Sequence, residues 1–117
     1  MIGVQRSKQA VEFNDALVES IDETISTLLS RQVTDALYYH LDTTYSISKA
    51  EIPYRVETLF SALEKTFGPM SSKTIGKVIA KRLYGKLGLV FADNQDRTLD
   101  EYVEEAKIKL QSEERQP

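Results

Sequence analysis

The amino-acid sequence predicts an all-α protein, organised as a single compact, bundle-like domain of about five helices. Apolar residues recur at three- and four-residue intervals along most of the chain, and helix-start and helix-stop residues punctuate those stretches. The one apolar run outside them, 89–91, is too short to support a sheet. A chain of 117 residues and 13.3 kDa is long enough for one core, whereas a second independent core would be too small to stand without help. The reading is a flexible leader over 1–7, one helical domain over 8–110 and a frayed tail over 111–117.

The first helix spans about 8–29. Val11, Asn14, Val18, Ile21, Ile25 and Leu28 fall on successive a and d positions of a heptad, and Leu17 and Leu29 broaden the stripe. That breadth favours packing into a core, while a homodimer through this helix remains open. Ser30 can cap a second helix over 31–44, with Val33, Leu37, Leu41 and Thr44 inward and Ala36 and His40 beside them. Tyr38 and Tyr39 point about 100° apart on a helix, so at least one belongs near the rim.

The pattern Ser48-x-x-Glu51 is a capping box, in which each side chain satisfies a backbone amide of the other, and Pro53 falls in or just before the following first turn. A third helix carries Val56, Leu59, Phe60, Leu63 and Phe67 on one face and stops at Gly68-Pro69. Ser71 or Ser72 can cap the fourth, whose apolar face is Ile75, Val78, Ile79, Leu83 and Leu87. Residues 89–91 either extend or plug the core from a loop, and 93–97 is a polar turn. Thr98-x-x-Glu101 repeats the capping box and opens a fifth helix with Leu99, Tyr102 or Val103, Ala106 and Leu110 inward and Glu101, Glu104 and Glu105 outward.

Composition removes several function classes. With no cysteine there is no disulfide, no thiolate nucleophile and no cysteine-based zinc site, which suits a reducing cytoplasm. No apolar run approaches the roughly eighteen residues of a membrane span. The single histidine, His40, has no carboxylate or second imidazole one turn away, so a structural role is favoured over a metal or general-base role. Asp93, Asp96 and Glu104 invite comparison with a calcium loop, but Gln95, Arg97 and Leu99 break the ligand pattern. No Walker or G-x-G-x-x-G spacing occurs, and the adjacent carboxylates Asp22-Glu23 and Glu104-Glu105 read as solvated helix faces. No catalytic, metal-binding or cofactor-binding residue is expected, and the chain is not expected to be an enzyme.

The polarised segment is 71–89, which carries Lys73, Lys77, Lys81, Arg82 and Lys86 and no acid inside a protein of net charge −3. Lys73, Lys77 and Lys81 recur every four residues along one helix face. Three readings compete for that face: solvated charge paired with the acidic fifth helix, a surface for an acidic protein partner with Tyr84 alongside, and a DNA-binding helix over 71–88 with 67–71 as the turn of a helix-turn-helix pair. The DNA reading ranks last, because Ser71, Ser72, Lys73 and Thr74 at the helix start include no Arg, Asn or Gln to read bases. The candidate surface is Lys73, Lys77, Lys81, Arg82, Tyr84 and Lys86.

The runs ALVESIDETISTLLSRQVTDALYYHL, YSISKAEIP, FSALEKTFG, IAKRLYGKLGLVF and LDEYVEEAKIKL, spread over 16–110, resemble the Nitrosopumilus output domain family of ammonia-oxidising archaea. SKAEIP at 48–53 and AKRLYGKLGL at 80–89 are the most specific pieces of that resemblance. It implies a compact all-helical module associated with archaeal signal transduction or transcription, and it brings no catalytic residues. Such a domain would stand nearly alone here, as a free-standing adaptor or a piece of a longer sensor protein. The function expected is therefore a non-catalytic output or protein-interaction module with an unidentified protein partner, and the alternative is a DNA-binding regulator.

Overall fold

A computed structural model describes the backbone of residues 2–115 and the side chains of residues 12–112. The chain is all-α: five α-helices, α1 (Ile2–Leu28), α2 (Arg31–Tyr45), α3 (Val56–Phe67), α4 (Pro69–Leu87) and α5 (Leu99–Arg115), with a 3-10 helix at Lys49–Tyr54 and no strand among the described residues. The contacts form two compact units that divide between Arg55 and Val56. Neither α1 nor α5 keeps the bounds read from sequence. α1 begins at Ile2, so the leader expected over 1–7 is helical from residue 2, and α5 runs on through the expected tail to Arg115. Met1, Gln116 and Pro117 lie outside the described residues, as does the side chain of Val11.

In the first unit, α1 buries Phe13, Leu17, Ile21 and Ile25, a row at four-residue spacing, and packs on α2 and the 3-10 helix. The row is rotated from the heptad reading: Val18 is half-buried and Leu28 is exposed. Ile21 and Ile25, which a two-fold coiled-coil seam would need on the surface, are fully buried within the chain. Asn14 is no buried seam polar either, since its Nδ2 donates to the exposed Tyr54 hydroxyl at 2.9 Å.

Ser30 caps α2 as expected, its Oγ accepting from the Val33 amide at 3.0 Å. Leu37 and Leu41 are buried, Tyr38 is half-buried and Tyr39 is exposed, while Thr44 lies outside the core and meets His40 Nδ1 at 3.2 Å. The helix ends at Ser46, whose φ of +56° is left-handed and turns the following Ile47 amide back to the Leu41 carbonyl at 3.1 Å. The Ser48 amide donates to Glu51 Oε1 at 2.9 Å, but the box opens the 3-10 helix, and α3 starts only at Val56. Pro53 lies inside the 3-10 helix. A proline there has no amide to offer an α-helical ladder, which accounts for the short, tight turn.

In the second unit α3, α4 and α5 pack pairwise. Leu59, Leu63, Ile75, Ile79, Leu83, Leu99, Tyr102, Val103 and Ala106 are buried, which reproduces most of the apolar faces read from spacing. Val78, Leu87 and Leu110 are half-buried at the edge of that core. Gly76 sets how closely the helices approach: a Cβ there would stand 3.3 Å from Leu99 Cβ and 3.5 Å from Phe60 Cε1.

Candidate functional site

The fourth helix starts earlier than its serines suggest. Gly68, at φ +88°, is the N-cap and Pro69 is the first helical residue, where a missing amide costs nothing. The link between α3 and α4 is thus a single residue, not the longer turn expected of a helix-turn-helix pair. The Ser72 hydroxyl is buried and donates to the Pro69 carbonyl at 3.0 Å, and the Thr74 hydroxyl donates to the Met70 carbonyl at 3.2 Å. Two of the four side chains that a DNA-reading helix start would present are spent on their own backbone. At the other end Gly88 takes φ +71°, and the Leu89 amide returns to the Tyr84 carbonyl at 2.9 Å.

Of the six candidate surface residues, Tyr84 is not on the surface. It is fully buried, its single hydroxyl hydrogen is shared between the Tyr102 carbonyl at 2.8 Å and Glu105 Oε1 at 3.1 Å, and it meets Phe91 edge-on at 5.4 Å. Burial pushes its hydroxyl pKa up. The tyrosine belongs to the core because α5 supplies an acceptor for its one polar atom.

The lysines divide among themselves. Lys73 and Lys81 are exposed, and among the described residues no carboxylate pairs with either. Lys77, between them, is different: its Nζ lies 2.8 Å from Asp93 Oδ1, with the lysine side chain 30% exposed and the aspartate 64%. That bond holds the Lys77 pKa above its ordinary value. Arg82 is half-buried and Lys86 exposed, and each engages a neighbour.

Among the described residues, no carboxylate of the acidic fifth helix pairs with Lys73, Lys77 or Lys81. Glu101 accepts from the Thr98 amide at 2.9 Å and closes the second capping box. Glu105, read as outward, is turned to Tyr84, Arg97 and Lys109 instead. The counter-charge at Lys77 comes from the loop between α4 and α5. That loop is fastened at two places: Phe91 lies 5.1 Å from the Tyr102 ring, and the Tyr102 hydroxyl donates to the Asn94 carbonyl while accepting the Asn94 amide, both at 2.9 Å. Of 89–91, Phe91 is half-buried against the Tyr84 and Tyr102 rings, while Val90 is exposed. Beside it lies a shallow depression lined by Gly88, Leu89, Val90, Ile108, Lys109 and Ser112.

A polar cluster in the first unit escaped the sequence reading. Asp22, taken there as part of a solvated face, accepts two bonds from Arg31 at 2.9 and 3.0 Å, one from Tyr38 at 3.1 Å and one from Lys49 at 3.4 Å. Arg31 also reaches Asp35 at 2.9 Å, and Lys49 sits 4.8 Å from the Tyr38 ring centroid. The Arg31 guanidinium holds the Asp22 carboxyl at a pKa of about 2. Only the Arg31–Asp35 pair, four residues apart on one helix, was available from spacing. The cluster ties α1, α2 and the 3-10 helix together, and every charge in it has a partner, which marks it as a structural clamp.

His40 touches Thr44 and lies edge-on to Tyr45 at 5.7 Å. Among the described residues no group of three or more His, Cys, Asp or Glu side chains is placed to hold a metal ion, and no helix is long and apolar enough to cross a membrane. Comparison with protein-family models, with curated proteins and with solved structures finds no match.

Proposed function

We propose that the chain is a non-catalytic interaction module that takes an acidic segment of a partner protein along Lys73, Lys77 and Lys81 of α4. The observation that supports this reading is the state of the helix. Its apolar side and Tyr84 are committed to the core, while Lys73 and Lys81 stand exposed, with no carboxylate among the described residues paired to either, in a chain that is acidic overall. A cationic row on an acidic protein attracts acidic segments selectively and speeds their encounter more than it tightens the final complex. Under this proposal the module acts in cytoplasmic signal transduction, a role supported by the resemblance of 16–110 to archaeal output domains.

The test is fluorescence anisotropy with a labelled polyglutamate peptide and, separately, a labelled DNA duplex, each at rising salt. Wild-type protein should bind the peptide at low salt and release it as salt is added, and the double variant K73E/K81E should not bind it. Duplex binding with a steep salt slope and no peptide binding would overturn the reading in favour of a DNA-binding regulator. Absence of binding to both would reduce the row to a solvated face.

A further inference from the structure

Resting on the interaction reading above, we infer that Asp93 is a built-in placeholder on the lysine row, a carboxylate that an incoming acidic side chain displaces from Lys77. Three observations carry this. The first is position: Asp93 binds the central lysine of the three, so a partner reaching Lys73 and Lys81 together must pass over the Lys77–Asp93 bond. The second is exposure. With the aspartate 64% exposed, the bond is a solvated ion pair, which exchanges easily because water and salt already screen it. The third is the anchoring of the loop next door. Asn94 is held through both its amide and its carbonyl by the Tyr102 hydroxyl, and Phe91 is packed against Tyr84 and Tyr102.

Asp93 can therefore rotate away through its side chain while the loop backbone stays where it is. Exchange of one carboxylate for another on the same ammonium changes the number of ion pairs by nothing, so Lys77 adds little affinity for an acidic partner. It adds selectivity instead: a ligand that fails to deliver an anion opposite Lys77 forfeits that exchange and leaves Asp93 in its way. In the free protein the same bond keeps the centre of the row from recruiting stray anions. The device regulates how strongly the row attracts acidic segments and occupies no additional site.

The experiment uses the labelled polyglutamate peptide at low salt with the full chain and four variants: Asp93→Asn, Lys77→Gln, the double variant of these two, and Asp96→Asn. Asp96 is an exposed acid of the same loop whose backbone amide bonds to Asn94 Oδ1, so its neutralisation reports the general effect of removing one negative charge. Asp93→Asn should bind the peptide about two- to fivefold more tightly than wild type, the range expected for releasing one exposed ion pair. Asp96→Asn should give a smaller gain, and the gain from Asp93→Asn should disappear when Lys77 is already Gln. Equal gains from Asp93→Asn and Asp96→Asn, or a gain that survives in the Lys77→Gln background, would overturn the placeholder while leaving the interaction reading standing. Peptide binding by neither wild type nor Asp93→Asn would overturn both. Far-UV circular dichroism of each variant establishes that the comparison is between folded proteins.

Discussion

The Tyr84 hydroxyl donates to the Tyr102 carbonyl at 2.8 Å, so that a residue from the basic helix and one from the acidic helix meet through a buried hydrogen bond and not through their charges. The second acceptor, Glu105, is itself shared with Arg97 and Lys109. Removal of the hydroxyl in Tyr84→Phe leaves a helix carbonyl without this side-chain donor and takes one donor from Glu105. Stability should fall by about 1–2 kcal/mol. Urea unfolding followed by circular dichroism measures it, and an unchanged midpoint would contradict a stabilising role for the buried Tyr84 hydroxyl bond.

Tyr102→Phe addresses the other end of the same cluster. The aromatic contact with Phe91 survives that substitution, while both bonds to Asn94 are lost. The Asn94 amide should exchange its hydrogen faster in the variant, and exchange in the middle of α4 should follow only the change in global stability. Equal exchange at Asn94 in the two proteins would show that Phe91 alone fastens the loop.

Two glycines of α4 should respond in opposite directions. Gly85 has open space where a Cβ would go, so Gly85→Ala should stabilise the helix by about 0.5–1 kcal/mol. Gly76 faces Leu99 and Phe60 at 3.3 and 3.5 Å, and Gly76→Val, which adds two methyl groups beyond Cβ, should destabilise by about 1–3 kcal/mol through overpacking. Thermal unfolding of the two variants beside wild type separates these signs.

Acid should expose the Asp22 clamp. The folded carboxyl titrates at about 2, below its ordinary value of 3.8, so its contribution is complete above about pH 4 and is lost as the pH falls through about 2. Arg31 is half exposed, and solvent screening limits the contribution to on the order of 1 kcal/mol. Asp22→Asn should therefore be less stable than wild type at neutral pH, with the two urea midpoints converging near pH 2.

Most helix boundaries were legible because they rest on local chemistry. Ser30 and Thr98 with Glu101 bond backbone amides within three residues of themselves, and such contacts follow from sequence order alone, whereas the box of Ser48 and Glu51 forms but opens the 3-10 helix and not α3. Buried faces were legible where spacing was regular, as at Ile75, Ile79 and Leu83. The site was legible only in part. Tyr84 lies on the boundary between the lysine row and the apolar stripe, and whether its hydroxyl points to water or to protein depends on a carbonyl 18 residues away. Asp93 lies in a loop without period, so nothing local marks it as the partner of Lys77, and Asp22 depends likewise on residues from two other helices. The start of α4 was misplaced because Gly68 and Pro69 read as a stop for the helix before them, whereas the same two residues open the next one.

The central claim, that the lysine row of α4 receives acidic partners, is tested most directly by mapping amide chemical-shift changes during titration with the polyglutamate peptide. The account predicts that the largest changes fall on Lys73, Lys77, Lys81 and Asp93 and that they vanish in K73E/K81E. Changes centred on the depression around Val90 and Ile108, or spread evenly over every exposed lysine, would contradict it.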